Sequence, residues 1–196
     1  MMDDVFIDGK EIYLRPANIK DTNKDWYTWL NDPEITKYQN KGIFPNTKKK
    51  QKEYLKKVLN SENDIVFAII EKRSKKHIGS VGLHNIDWIH RSAELGIVIG
   101  RKDMWGKGYG KQAWNMAACY GFQCLNLNRI GAVILKENVA STRTAQGSGF
   151  RIEGELREFL FKNGSYHSAM ILSALRREFK PYSGISVNRK NKRAKV

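Results

Sequence analysis

The segment Trp105-Gly106-Lys107-Gly108-Tyr109-Gly110 is the stretch from which the fold can be interpreted. It follows Ala93–Ile99, a nearly continuous apolar run of the kind found in strands that are covered on both faces. It precedes a predicted helix with an apolar stripe, formed by Ala113, Trp114, Met116, Ala117 and Tyr120. Free backbone N–H groups and the positive end of the helix dipole converge where such a loop enters a helix. The segment is therefore predicted to bind an anion.

Two common glycine motifs do not fit this segment. The dinucleotide fingerprint requires Gly-x-Gly-x-x-Gly, whereas the glycines here alternate at Gly106, Gly108 and Gly110. The Walker motif requires Ser or Thr after its Gly-Lys pair, but Gln112 follows Lys111. Neither a Rossmann dinucleotide site nor a P-loop nucleotide site is expected.

The segment does resemble the acetyl-coenzyme A (acetyl-CoA) signature of the GNAT superfamily, Gln/Arg-x-x-Gly-x-Gly/Ala. Gly108 and Gly110 match this signature, while Trp105 stands where the family usually has Gln or Arg. That departure is common in the branch that acetylates the amino termini of ribosomal proteins. The resemblance is greatest to this branch and to the spermidine acetyltransferases.

Three further segments carry the resemblance, which extends from about Ile12 to Leu175. Tyr13–Ala17 is similar to the opening strand of the family, and Ala93–Ile97 is similar to the strand that precedes the loop. Asn138–Phe150 is similar to the segment in which an asparagine, a short helix and a Gly-Phe pair follow one another. The order and spacing of these segments also agree with the family.

The resemblance implies an α/β (α+β) GNAT acyltransferase fold, in which helices flank a mixed, mostly antiparallel central sheet. Its two central strands, here Ala93–Ile99 and Arg129–Leu135, are expected to splay apart. Hydrophobic patterns and turn signals predict further strands at Glu11–Arg15, Ile65–Ile70, Ile78–Ile86, Ile152–Lys162 and Tyr166–Ala174, the last two joined by the turn pair Asn163-Gly164. Capping residues predict helices that begin at Asp21 or Thr22, at Asn46 or Thr47, and at Ala140. We interpret residues 1–180 as one domain and residues 181–196 as a basic, flexible tail.

In this family the gap between the splayed strands holds the pantetheine arm of acetyl-CoA. By resemblance, backbone groups of Ile97, Val98 and Ile99 line the arm, and an N–H among them bonds the thioester carbonyl and stabilises the oxyanion. The pyrophosphate would lie on the glycine segment, whose members are Trp105, Gly106, Lys107, Gly108, Tyr109 and Gly110. Asn138 corresponds to the asparagine that contacts the pantetheine amides, although an asparagine there also suits a helix N-cap.

Two side chains are candidates for proton transfer. Glu94 lies on an otherwise apolar strand, where an uncompensated carboxylate is costly and often has a chemical role as a base. The alternative is a salt bridge from Glu94 to Arg91 or Arg101. Ser141 is the best remaining hydroxyl to protonate the departing thiolate, because Ala145 stands where many family members have a tyrosine. The alternative for Ser141 is simple packing. His84, His90 and Asp87 are further candidates for the base.

The formal net charge of +15 is concentrated in three clusters. The clusters are Lys48, Lys49, Lys50, Lys52, Lys56 and Lys57; Lys72, Arg73, Lys75 and Lys76; and Arg189, Lys190, Lys192, Arg193 and Lys195. Such clusters attract polyanions, although they also suit a solvated surface. The charge therefore leaves a nucleic-acid-binding module open, and Ala145 at the usual tyrosine position leaves open a GNAT fold that binds acetyl-CoA without catalysis.

The predicted activity is acetylation of a primary amine by direct transfer. The acceptor is a protein amino terminus, a polyamine or an amino-sugar compound; the positive charge favours an anionic one, such as an acidic ribosomal protein. An acidic pocket of Glu153, Glu155 and Glu158 would favour a polyamine instead. Contact with the ribosome or an acidic protein, and a homodimer, are further expectations.

The sequence predicts neither a membrane span nor a metal site. No apolar run approaches the ~20 residues of a spanning helix, and Asp3 and Asp4 stand where a secretory signal would be basic, so a cytoplasmic location is expected. The four histidines and two cysteines show no metal-ligand spacing.

Overall fold

The spatial order of the strands differs from their order in the chain. The computed structural model describes residues 4–23, 25–181 and 185–187. The strands are β1 (Ile7–Asp8), β2 (Ile12–Pro16), β3 (Ile65–Glu71), β4 (His77–Asp87), β5 (Ser92–Ile99), β6 (Arg129–Leu135), β7 (Arg151–Lys162), β8 (Ser165–Leu175) and β9 (Ser186–Val187). Within the described residues they form one sheet in the order β7-β8-β6-β5-β4-β3-β2-β1-β9. The expected mixed sheet is confirmed.

The centre of the sheet opens between β5 and β6. These two strands are parallel and pair only from Ser92–Glu94 to Arg129–Gly131. Beyond that point β5 continues along β4 as far as Ile99, while β6 continues along β8 as far as Leu135. The expected splay of the central strands is therefore confirmed, and it begins directly after Glu94 and Gly131.

Among the described residues, four α-helices cover the two faces of the sheet. They are α1 (Trp26–Trp29), α2 (Lys48–Leu59), α3 (Tyr109–Gln123) and α4 (Val139–Gln146). Successive strand residues point to opposite faces, and core clusters form on both sides of the sheet. On one side, here called the α3 face, Leu83, Leu95 and Ile130 pack with α3 residues such as Met116. On the other side, the α2 face, Val66 and Val98 pack with Trp26, Trp29 and Leu55.

Two local predictions are confirmed by backbone geometry. The side chain of Thr47 accepts a hydrogen bond from the Lys50 N–H and caps α2. Asn163 and Gly164 have φ values of 52° and 81°, the left-handed conformation that a tight hairpin turn between β7 and β8 requires. No helix in the described ranges is long and apolar enough to cross a membrane.

The first helix differs from the prediction. Asp21 does not cap it, because its carboxylate pairs with the Arg15 guanidinium and accepts from the Asn18 N–H. A short 3-10 helix, Ile19–Asn23, precedes the four-residue α1. At the other end, β9 lies within the segment predicted as a tail and pairs with β1. The basic residues of that segment lie outside the described residues.

Candidate active site

The glycine loop presents the start of α3 to open space. Gly106 and Gly108 have φ values of +74° and +80°, which residues with a Cβ rarely adopt, and Gly108 is the N-cap of α3. A Cβ added at either glycine would meet no atom within 4 Å. The first N–H groups of α3 receive no side-chain cap from this residue. The loop therefore fits a pyrophosphate, which would accept hydrogen bonds from these groups.

Trp105 connects this loop to the end of β5. Its indole Nε1–H donates to the carbonyl oxygen of Ile99 at 2.8 Å. Gly100, which follows Ile99 in the chain, lies against the Trp29 ring. A Cβ added at Gly100 would come within 1.9 Å of that ring. The Trp105 side chain therefore positions the loop relative to the gap, a contact that sequence reasoning missed.

The end of β5 forms one wall of the gap. Ile97 and Ile99 are half-buried against the α3 face, whereas Val98 packs with the α2-face cluster. Because pairing with β6 ends at Glu94, the backbone of these residues is not bonded to that strand. The structure thus brings the three residues predicted to line the cofactor to the edge of the opening.

The short helix α4 follows the end of β6, on the other side of the gap from the end of β5. Its N-cap is Asn138, whose Oδ1 accepts a hydrogen bond from the Ser141 N–H at 3.1 Å. Asn138 thus has the helix N-cap role, which was the alternative to contact with the pantetheine amides. A buried side-chain bond from Asn115 of α3 to Ser148, at 2.9 Å, fixes the end of α4. The signal that could have revealed Asn115 is a polar residue inside the buried stripe of α3.

The comparison with known proteins decides the family of this chain. The GNAT acetyltransferase domain family matches residues 11–151. The chain belongs to the GNAT acetyltransferase family. It is an acetyl-CoA-dependent N-acetyltransferase, and the glycine loop and the gap are the features that fit its co-substrate.

Several GNAT relatives resemble the chain over different lengths. It is 34% identical to the uncharacterized N-acetyltransferase p20 of Bacillus licheniformis, over 87% of this chain and 96% of that protein. It is 36% identical to the ribosomal N-acetyltransferase candidate YdaF of Bacillus subtilis, over 52% of this chain and 55% of that one. A crystal structure of spermidine N-acetyltransferase from Vibrio cholerae with CoA and spermine aligns at a TM-score of 0.79, with 28% identity over 86% of this chain and 97% of that one.

The position that holds a tyrosine in many GNAT proteins is unsuited to one here. Ala145 is 0% exposed and belongs to the core on the α3 face, together with Trp114 and Phe150. A tyrosine at this position would have to enter the core rather than the gap. Ser141, one turn earlier, is half-buried.

Glu94 lies at the mouth of the gap on the α2 face. It is exposed, so the argument that its strand desolvates the carboxylate is wrong. The alternative of a salt bridge is also not observed: Arg91 donates to Asn126, and Arg101 pairs with Asp25 and Asp103. Within the described part of the chain, the Glu94 carboxylate makes no ion pair. It is therefore available to an incoming substrate.

The predicted acidic pocket is largely neutralised. Glu153 pairs with Arg129 and accepts from the Ser173 hydroxyl at 2.6 Å, and these contacts lower the pKa of Glu153 to about 2. Glu155 pairs with Lys136 at 3.0 Å. Two of the three carboxylates thus already have basic or hydroxyl partners. The residues that the structure describes include no group of three or more His, Cys, Asp or Glu placed to hold a metal.

Proposed function

We propose that the enzyme transfers an acetyl group directly from acetyl-CoA to the primary amine of an anionic acceptor, such as the amino terminus of an acidic protein. The observation that carries the direct route is the opening between β5 and β6. The start of α3 reaches this opening along the α3 face, while Glu94 faces the opposite side. Acetyl-CoA and amine can therefore meet in the gap from opposite faces of the sheet.

The choice of acceptor rests on a cavity beside α2. Its volume is about 270 Å³, and it is lined by residues 40–46 together with Leu30, Lys50, Gln51 and Tyr54. The buried amide nitrogen of Gln51 has no hydrogen-bond partner among the described residues. Lys41 and Lys50 add positive charge to the same wall. Such a cavity suits a ligand that brings carbonyl or carboxylate oxygens, whereas a polyamine brings only cationic donors.

A comparison of acceptors tests this proposal. Thiol release from acetyl-CoA would be measured with a peptide that has acidic residues after its free amino terminus, with the same peptide carrying lysines, and with spermidine. We expect the highest kcat/KM for the acidic peptide and a decrease with added salt, because salt screens charge attraction. The amino-acetylated acidic peptide is the control and should release no thiol.

Each of the other possible results would indicate a different function of the protein. A higher kcat/KM for spermidine would contradict the anionic acceptor and indicate a polyamine acetyltransferase. Acetyl-CoA binding without thiol release from any amine would indicate a fold without catalysis. Salt-dependent DNA binding without thiol release would indicate a nucleic-acid-binding module. A ribosomal contact, a homodimer and a cytoplasmic location stay predictions of the same proposal.

Glu94 is proposed to receive the proton that the amine loses, through water. Its exposed carboxylate at the mouth of the gap supports this role. Glu94→Gln should lower kcat by about 100-fold, within the range usual for acid–base groups, and leave acetyl-CoA affinity unchanged. Glu11→Gln, at an exposed position just before β2 and three strands away from β5, is the matched control. Wild-type kcat in Glu94→Gln would remove Glu94 from the reaction.

Ser141 is proposed to donate a proton to the departing thiolate. It stands on α4 next to the capping Asn138, and no tyrosine can serve from the buried position 145. Ser141→Ala should lower kcat by about 100-fold, with acetyl-CoA affinity within a few-fold of wild type. Thr144→Ala, on the same helix, is the control. Equal turnover of the two variants would assign Ser141 to packing.

A further inference from the structure

A histidine and an aspartate from neighbouring segments meet on the α2 face. The ring nitrogen Nδ1 of His84 on β4 lies 2.9 Å from Oδ1 of Asp64. The other carboxylate oxygen of Asp64 accepts a hydrogen bond from the Ser61 hydroxyl at 2.8 Å. Burial raises the pKa of Asp64, but the hydrogen bonds from Ser61 and His84 outweigh it, so the net pKa is lowered and the carboxyl is ionised at neutral pH.

This arrangement determines which nitrogen of His84 can act as a base. An ionised carboxylate only accepts hydrogen bonds, so Nδ1 of His84 must carry the hydrogen. In the neutral ring the second nitrogen, Nε2, then holds the free lone pair. Asp64 thus orients the ring and stabilises the imidazolium that forms when Nε2 takes a proton.

The ring of His84 lies over a bare part of the sheet next to the gap. Its Nε2 is 2.8 Å from the place that a Cβ on Gly82 would occupy and 3.8 Å from the corresponding place on Gly96. Gly82 and Gly96 are opposite each other in the β4–β5 register, and His84 is opposite Glu94. Val98, two residues after Gly96, lies in the part of β5 that no longer pairs with β6. The His84 side chain is 29% exposed, so an acceptor can reach it.

The charged and titratable groups around His84 come from four segments of the chain. Asp64 precedes β3, and Glu94 on β5 is opposite His84 in the sheet. Tyr54 on α2 lies near Asp64. Burial and, secondarily, Asp64 raise the pKa of Tyr54. Lys41 lies over the Tyr54 ring, with its Nζ 4.7 Å from the ring centre. Asp64 and Glu94 are thus the carboxylates of this region, and Lys41 is its lysine.

We propose that His84, oriented by Asp64, takes the proton from the attacking amine and passes it through water to Glu94. This inference rests on the proposed direct transfer. As the amine nitrogen bonds to the acetyl carbon, the C–S bond breaks and its electron pair stays on sulfur. The N–H proton goes to Nε2 of His84, and the thiolate takes a proton from Ser141 or solvent. His84 is then a catalytic residue and Asp64 a positioning residue.

The test separates proton transfer from structural support. In His84→Asn the side-chain amide can keep the hydrogen bond to Asp64, but the base is removed. We expect kcat to fall by about 100-fold or more, with acetyl-CoA affinity and the thermal unfolding midpoint unchanged. A histidine base gives kcat/KM an ascending limb between about pH 5 and 8, and this limb should disappear in His84→Asn. Asp64→Asn should lower kcat less and shift the same limb.

His90 offers a matched control. Its Nδ1 also lies 2.8 Å from an aspartate, Asp87, but the His90 side chain is 77% exposed in the turn between β4 and β5. His90→Asn makes the same chemical change in the same kind of pair, outside the gap. This position outside the gap excludes His90 as the base, so the variant should keep the wild-type kcat and the ascending limb.

The double variant His84→Asn/Glu94→Gln tests the relay itself. Residues that act as one unit show non-additive losses. We therefore expect the kcat of the double variant to lie within a few-fold of the kcat of the slower single variant. A decrease in kcat of the double variant equal to the product of the two single decreases would overturn the relay. Wild-type kcat and an unchanged pH profile in His84→Asn would overturn the role of His84, provided that the wild-type enzyme acetylates an amine. A wild-type enzyme that acetylates no amine would instead overturn the proposed function.

Discussion

Replacing Gly108 by glutamate is expected to lower the affinity for acetyl-CoA by about 100- to 1,000-fold. Gly108 is the N-cap of α3, with open space around it, so a glutamate there would bring a carboxylate to the place that suits the pyrophosphate. Two like charges about 4 Å apart repel by about 4 kcal/mol near a protein surface, which corresponds to about three orders of magnitude in Kd. Isothermal titration calorimetry with acetyl-CoA measures this change.

Two controls separate charge from backbone strain. Gly108→Ala introduces only the strain of a Cβ at φ +80°, about 1–2 kcal/mol of stability, and should change the affinity much less. Gly164→Glu places the same side chain at φ +81°, in the turn between β7 and β8 and equally open. It should keep the wild-type affinity. A folded Gly108→Glu protein with unchanged affinity would exclude the glycine loop as the pyrophosphate site.

Replacing Lys162 by methionine is expected to lower the free energy of unfolding more than any other substitution proposed for this enzyme. Lys162 is 9% exposed, and its ammonium donates to the carbonyl oxygens of Thr36, Gln39 and Lys41 at 2.6, 2.8 and 3.0 Å. Burial lowers the pKa of Lys162, while the carbonyl oxygens oppose this by stabilising the charged form. Methionine fills a similar volume but donates no hydrogen bond.

The free energy of unfolding should fall by about 3 kcal/mol in Lys162→Met, because an unsatisfied buried acceptor costs about 1–3 kcal/mol. For a domain of this size the midpoint of thermal unfolding should decrease by about 6–12 °C. Urea denaturation and calorimetry measure both quantities. The KM for the acceptor should rise while acetyl-CoA affinity stays constant, because the loop that lines the cavity loses its attachment to β7.

Lys136→Met is the matched control for Lys162→Met. Lys136 forms an exposed pair with Glu155, and such pairs contribute about 0–1 kcal/mol. Equal stability of the two methionine variants would show that the three carbonyl contacts of Lys162 contribute nothing.

The sequence predicted the elements whose signals are local. The Thr47 cap and the Asn163-Gly164 turn each depend on a few consecutive residues, and the structure has both of them. The prediction failed at Asp21, where a partner six residues away, Arg15, competes with the helix N-cap for the same carboxylate. The burial of Glu94 was also misjudged, because only its neighbours Ala93 and Leu95 point into the core, while Glu94 points to the other face of the strand and is exposed.

By itself the sequence indicated the family, through its resemblance to the GNAT segments, and the order of the elements, because caps and hydrophobic periods are properties of short segments. Only the tertiary structure decided which side chains meet. His84 and Asp64 are 20 residues apart, and Lys162 is 126 residues from Thr36. These contacts depend on sheet register, since a shift of one residue would turn His84 to the other face. The register follows from the packing of the core clusters on both faces together, and no single segment of the sequence contains that information.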